Sequence, residues 1–169
     1  MELKEVLLKR RSVRKFTEEN VSDEQINELL HAAMSGPSAC NKTPWEFYVV
    51  RNTEKLSDVK KSSLFARFNS PLVIVVAGNT ARALPEPITD YWIQDCSAAI
   101  ENILLRATDL GLGTVWCGAY PHKRVEGNLQ AALEMPAEHI PLGIIHIGYP
   151  AETPEPRDQY DSERVHFVD

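Results

Sequence analysis

Between Lys9 and Lys15 the chain reads K-R-R-S-V-R-K. Five basic side chains flank one hydroxyl, Ser12, in a protein whose 24 acidic and 18 basic residues give a net charge of -6. Like charges repel, so a positive cluster inside an acidic chain calls for a reason. Guanidinium forks and a hydroxyl donor match the oxygens of a phosphate group, which makes this segment a candidate phosphate site. The same run would also serve as the solvated end of a helix, where cations complement the dipole. Other chemistry finds little support. In G-L-G-T-V-W-C-G, Gly111 to Gly118, Trp116 stands where a dinucleotide fingerprint needs its third glycine, and the glycines precede a strand instead of following one. There is no phosphate-loop sequence and no nucleophile elbow. His31, His122, His139, His146 and His166 lie far apart without metal-ligand spacing. Cys117 and His122 could be drawn as nucleophile and base, but a strand cysteine is more often buried filler.

The elements that must position the basic cluster follow from hydrophobic spacing. Leu3, Val6 and Leu7 mark a helix over Glu2–Arg10, so the cluster starts at its C-terminal end. Ser22 and Gln25 form a candidate capping box opening a second helix, with Ile26, Leu29, Leu30, Ala33 and Met34 facing inward, stopped by Gly36-Pro37. Pro37 to Trp45, P-S-A-C-N-K-T-P-W, reads as an ordered loop. Strands are expected at Glu46–Arg51, Leu72–Ala77, Gly113–Ala119 and Pro141–Tyr149, with helices after Asn52 and after Pro121. Leu72–Ala77 is apolar on both faces and so central. Asn79–Pro87 reads as a loop, a place for a lid. Ile88–Leu110 carries the longest helical pattern, apolar on more than one side, which implies contact in a deep core or with a partner, and Gly111 caps it. Pro150–Asp161 reads as an extended arm, and Val165–Val168 as a last short strand. Trp45, Trp92 and Trp116 read as core or interface aromatics, one of them bordering a pocket.

Composition bounds the class. A 169-residue chain fits one domain, 1–169, with 43% hydrophobic and 25% charged residues. A pI near 5.4 argues against a general nucleic-acid binder. No apolar run approaches the ~20 residues that span a bilayer, and Glu2 and Lys4 do not resemble an export signal. Three cysteines without a C-x-x-C pair fit free thiols in a reducing, cytoplasmic compartment.

Arg10-Arg11-Ser12-Val13-Arg14 with Phe16, Pro37-Ser38-Ala39-Cys40-Asn41 with Pro44-Trp45, and Asp95-Cys96-Ser97-Ala98-Ala99 leading to Gly111-Leu112-Gly113 together resemble the nitroreductase family of FMN-dependent oxidoreductases. The resemblance runs in order along nearly the whole chain. It implies an α+β fold, a mixed and mainly antiparallel sheet flanked by helices on both faces, and an intertwined homodimer with FMN at the subunit interface. It implies that residues 150–169 are an arm packing on the partner subunit. Arg10, Arg11 and Ser12 match phosphate and ribityl contacts, and Arg14 the cation near flavin N1/O2. Ser38, Ala39, Asn41 and Thr43 match a loop that reaches the flavin of the other subunit. Val115, Trp116, Cys117 and Gly118 match the segment against the isoalloxazine. Arg157 matches a phosphate contact, and Gln159 stands where a second basic residue is common. The implied activity is ping-pong hydride transfer from NADH or NADPH, through flavin N5, to a nitroaromatic, quinone or related electrophile. No protein side chain need then be nucleophile or general base, and no metal is expected. A flavin-binding sensor or store, or a same-fold enzyme with different flavin chemistry, shares these motifs.

Overall fold

The computed structural model describes residues 1–168; Asp169, the last residue assigned to the arm, lies outside the described residues. The regular elements are α1 (Leu3–Lys9), α2 (Asp23–Met34), β1 (Trp45–Val50), α3 (Thr53–Ser62), β2 (Leu72–Asn79), α4 (Tyr91–Asp109), β3 (Gly113–Gly118), α5 (Lys123–Leu133) and β4 (His139–Gly148), with short 3-10 turns at Ala39–Asn41 and Ser162–Arg164. The strands pair in the order β1-β2-β4-β3, and every neighbouring pair is antiparallel. The mixed character enters at the rim, where Ser12 and Thr114 form a parallel bridge.

The sheet separates two cores because successive side chains point to opposite faces. Leu72, Ile74, Val76, Ile145 and Ile147 pack under α2 and α4, while Val73, Val75 and Ile144 pack under α3 and α5. This is why β2 reads as an uninterrupted apolar run: all eight of its residues are buried. The local signals at helix ends act as the sequence implies. Ser22 Oγ accepts from Gln25 N at 3.2 Å, and Gln25 Oε1 accepts from Ser22 N at 3.1 Å, closing the capping box. Gly111, at φ 76°, ends α4 by a Schellman motif, with Leu112 N donating to Ala107 O at 2.8 Å and Gly111 N to Thr108 O at 3.1 Å.

Several expectations shift. Met34, read as facing inward, is exposed at the end of α2, as are Leu3 and Leu7 of α1. The long helix starts at Tyr91, not Ile88, because Pro85 to Asp90 closes successive turns before the helical ladder begins. Within the single chain Val165–Val168 forms no strand; it follows the 3-10 turn and is exposed. A strand exists through its ladder, and no strand of the same chain pairs with this segment among the described residues.

Candidate functional site

The basic segment is fixed to the sheet from both sides. After α1 ends, the chain runs extended beside β3, and Val13 N donates to Thr114 O at 2.8 Å. This approach requires Gly113, since a Cβ there would stand 2.8 Å from Val13 Cγ1. Asn69 clasps Phe16 on the other side, its Oδ1 accepting from Phe16 N at 3.1 Å and its Nδ2 donating to Phe16 O at 2.8 Å. The first half of the C-terminal arm lies along the same segment. Ala151 N donates to Lys15 O, Arg157 N to Leu8 O, and Arg14 N to the Glu152 carboxylate at 2.7 Å, while the Arg11 side chain donates to Glu155 O.

This docking closes a cavity of about 570 Å³. Arg10, Arg11, Ser12, Arg14, Arg157 and Gln159 all line it. Six residues from opposite ends of the chain therefore meet around one cavity. Leu7, Leu8, Asp158 and Tyr160 line it as well. Helical spacing marks Leu7 as a packed position, yet it is exposed here, and nothing in the sequence singles out Leu8, Asp158 or Tyr160. Four guanidiniums face one carboxylate, so the cavity is strongly positive. Arg10 also lies 3.6 Å from Glu101. Burial raises the Glu101 carboxyl above its ordinary range, and Arg10 works against that rise.

Thr114, which bridges to Ser12, belongs to β3, so the segment Val115 to Gly118 continues along that strand away from the cavity. These four residues do not line the cavity. Trp116 is 38% exposed and lies across Gly143 of β4, where a Cβ would stand 2.2 Å from the indole Nε1. Trp45 and Trp92, by contrast, are buried in the core beneath α2 and α4. The Cys117 thiol points into the opposite core and donates to Phe65 O at 3.1 Å. Burial pushes it up to about 11, with the Arg14 guanidinium pulling the other way. It is thus a protonated thiol at neutral pH and not a nucleophile.

Ser38, Ala39, Asn41 and Thr43 stand elsewhere. Their loop leads into β1, and β1 and β3 are the two opposite edges of the sheet. Three non-glycine residues here occupy the left-handed region: Cys40 at φ 48°, Asn41 at 54° and Thr43 at 46°. Such conformations persist only where surroundings enforce them. The buried Asp95 carboxylate accepts from Ala39 N at 2.8 Å, Ser38 Oγ accepts from Thr43 N at 2.9 Å, and Arg82 Nη2 donates to Thr43 Oγ1 at 3.2 Å. Arg82 is a support that motif reading did not identify, and Asp95 stood in a quoted motif without a role. The available signal was a carboxylate among the apolar positions of α4. Arg82 ties the 79–87 stretch to this loop and also lies 3.7 Å from Glu46.

No group of metal-ligating side chains occurs among the described residues, nor any helix long and apolar enough to cross a membrane. The family model described as the nitroreductase family matches residues 7–66 and 60–149. A protein of Methanothermobacter thermautotrophicus, provisionally named NADH dehydrogenase/NAD(P)H nitroreductase, is 42% identical over 170 residues, covering 99% of this chain and 87% of the relative. A crystallised protein of Parabacteroides distasonis with the same provisional name superposes with a TM-score of 0.92 at 34% identity, over 99% of this chain and 98% of that one. The FMN-dependent nitroreductase of Clostridium difficile R20291 gives 0.88 at 31% identity, over 97% and 98%. With a family match spanning the basic segment, the left-handed loop and the β3 edge, this chain belongs to the nitroreductase family.

Proposed function

We propose that the protein is a homodimeric FMN oxidoreductase that takes reducing equivalents from NAD(P)H and passes them, in a ping-pong cycle, to a nitroaromatic, quinone or related electrophile. The observation that carries this reading is the convergence of Arg10, Arg11, Ser12, Arg14 and Arg157 on one positive cavity. Its donor set fits the phosphate of FMN: fork-shaped guanidiniums and a hydroxyl, with a volume in the range of small-molecule sites. Bound FMN would supply the redox chemistry, exchanging a hydride at N5. The residues of this chain would bind and orient. Arg157 and the Arg10–Ser12 segment hold the phosphate end. Arg14, within electrostatic reach of Cys117 on β3, is the cation placed to favour the reduced flavin. Gly118 would be the backbone N–H donor toward N5.

The positions of the two half-sites support a dimer. The loop of Ser38, Ala39, Asn41 and Thr43 and the segment Val115 to Gly118 belong to opposite edges of a four-stranded sheet, roughly 14 Å apart by strand spacing alone. One flavin touches both groups if a second chain brings its loop to the first chain's β3 edge. A two-fold axis does this twice, once for each site. Exposed Tyr160, Phe167 and Val168, all in the C-terminal arm, are surfaces such a partner would cover. Three free cysteines support a cytoplasmic setting.

The test begins with colour. Purified protein should sediment as a dimer, be yellow, and release about one FMN per chain on heating. NAD(P)H should bleach the flavin and a nitroaromatic should restore it. Colourless, monomeric protein that refuses added FMN would end the proposal.

A further inference from the structure

A second positive depression lies beyond the other end of β3. Its volume is about 250 Å³, and its lining includes Lys61 from the end of α3, Phe65 and Arg67 from the following loop, His122 just before α5 and Arg124 in its first turn. No carboxylate lines it, and none lines an adjoining depression of about 450 Å³ that shares Lys61 and Arg67. In a chain of net charge -6 this is a marked local excess. Lys61 lies 3.9 Å from Asp58, but neither Arg67 nor Arg124 takes part in any ion pair among the described residues. Phe65 is 82% exposed, an uncovered aromatic face beside free guanidiniums.

The groove is built onto the flavin strand. Cys117 Sγ donates to Phe65 O at 3.1 Å, and Asn128 Nδ2 donates to Ser62 O at 3.2 Å, locking the α3–β2 loop to β3 and α5. His122 and Arg124 follow Gly118 closely in the chain. The arginine cavity at Ser12 and this groove therefore flank β3 at opposite ends, separated by the ~20 Å that six extended residues span. The groove thus stands beside Gly118, the residue that the flavin reading sets against N5, so a dinucleotide whose nicotinamide met N5 could lay its far end in it.

We infer that this groove binds the adenosine 2′-phosphate of NADPH, with Arg67 and Arg124 paired to the phosphate and Phe65 stacking the adenine, so that NADPH is preferred over NADH. The inference rests on the reading of the protein as a flavin oxidoreductase. A phosphate monoester of charge near -2 facing two forked cations is a strong pairing, and an exposed aromatic ring is a platform for a nucleobase. NADH lacks the group that the cations are set to hold.

The experiment has two arms. Protein as purified is titrated calorimetrically with adenosine 2′,5′-bisphosphate and with adenosine 5′-monophosphate, and kcat/KM is measured for NADPH and NADH. The bisphosphate should bind about tenfold tighter or better. In a variant carrying R67Q and R124Q that discrimination should vanish, and the NADPH-to-NADH ratio of kcat/KM should fall by about tenfold or more, with the thermal midpoint unchanged. Arg124→Lys should recover part of it. Equal binding of the two nucleotides, bisphosphate binding that survives in the double variant, or an equal loss with NADH and NADPH overturns the inference. Failure of both nucleotides to reduce the flavin would instead sink the parent reading, while the calorimetric arm would still decide the groove.

Discussion

Arg157 shows how a single side chain is placed by the whole topology. It reaches the arginine cavity because the arm pairs with the basic segment, Arg157 N donating to Leu8 O at 3.1 Å. A charge-assisted hydrogen bond contributes about 1.5–3 kcal/mol, so Arg157→Ala should weaken FMN binding by roughly 10- to 100-fold. Gln159→Lys should strengthen it, since Gln159 lines the same cavity without a charge. Titrating apoprotein by quenching of flavin fluorescence checks both. His146 offers a test of a different kind. It is fully buried, hydrogen-bonded through Nδ1 to Ser70 Oγ at 2.7 Å, with Nε2 unpartnered. Burial, and then the Lys60 ammonium, lower its pKa from 6.5 to about 4. As pH falls below 6.5 the unfolded chain takes up a proton that the folded chain refuses. Stability is therefore full above about 6.5, declines between there and about 4, and then levels off. The shift corresponds to on the order of 3 kcal/mol. His146→Leu should lose less stability than the parent between pH 7 and pH 4.5, measured by urea unfolding; an identical loss would show that the imidazole contributes nothing. At this scale, residue types and order suffice to pick out side chains that line one positive cavity. The histidine network was not legible, because its behaviour comes from burial by residues distant in sequence.

Among elements, the loop entering β1 has the most to teach. Its prolines and small polar residues mark it as ordered, and its left-handed residues make that order costly, at roughly 1 kcal/mol or more for each of Cys40, Asn41 and Thr43. Asp95 helps hold it. Asp95→Ala should speed hydrogen exchange across Ala39–Thr43 by at least about tenfold while β2 stays protected, and raise the FMN dissociation constant by about tenfold. An unchanged exchange rate would show that the loop holds its shape without the carboxylate. Strands, helices and caps were readable because period and capping chemistry are local: Ser22 with Gln25, Gly111 after α4, the apolar run of β2. Strand order was not, since β1-β2-β4-β3 depends on pairings between distant segments. The terminal segment also depends on a distant pairing. Val165–Val168 has suitable residues but no ladder within its own chain.

On the scale of the whole molecule, the division of the candidate site is decisive. Family membership, the two-layered packing around an antiparallel sheet and the positive cavity belong to one chain; the left-handed loop and the β3 edge stand at opposite rims of its sheet. If each seat takes one wall from each chain, two crippled parents can repair one another. A subunit disabled at Arg157 mixed with one disabled at Asp95 would form hybrids in which one seat inherits both lesions and its twin inherits neither. After unfolding and refolding an equal mixture, roughly a quarter of all seats should be whole, and flavin content should rise above that of either parent. Genetic complementation between alleles of a single gene would then follow from strand order alone.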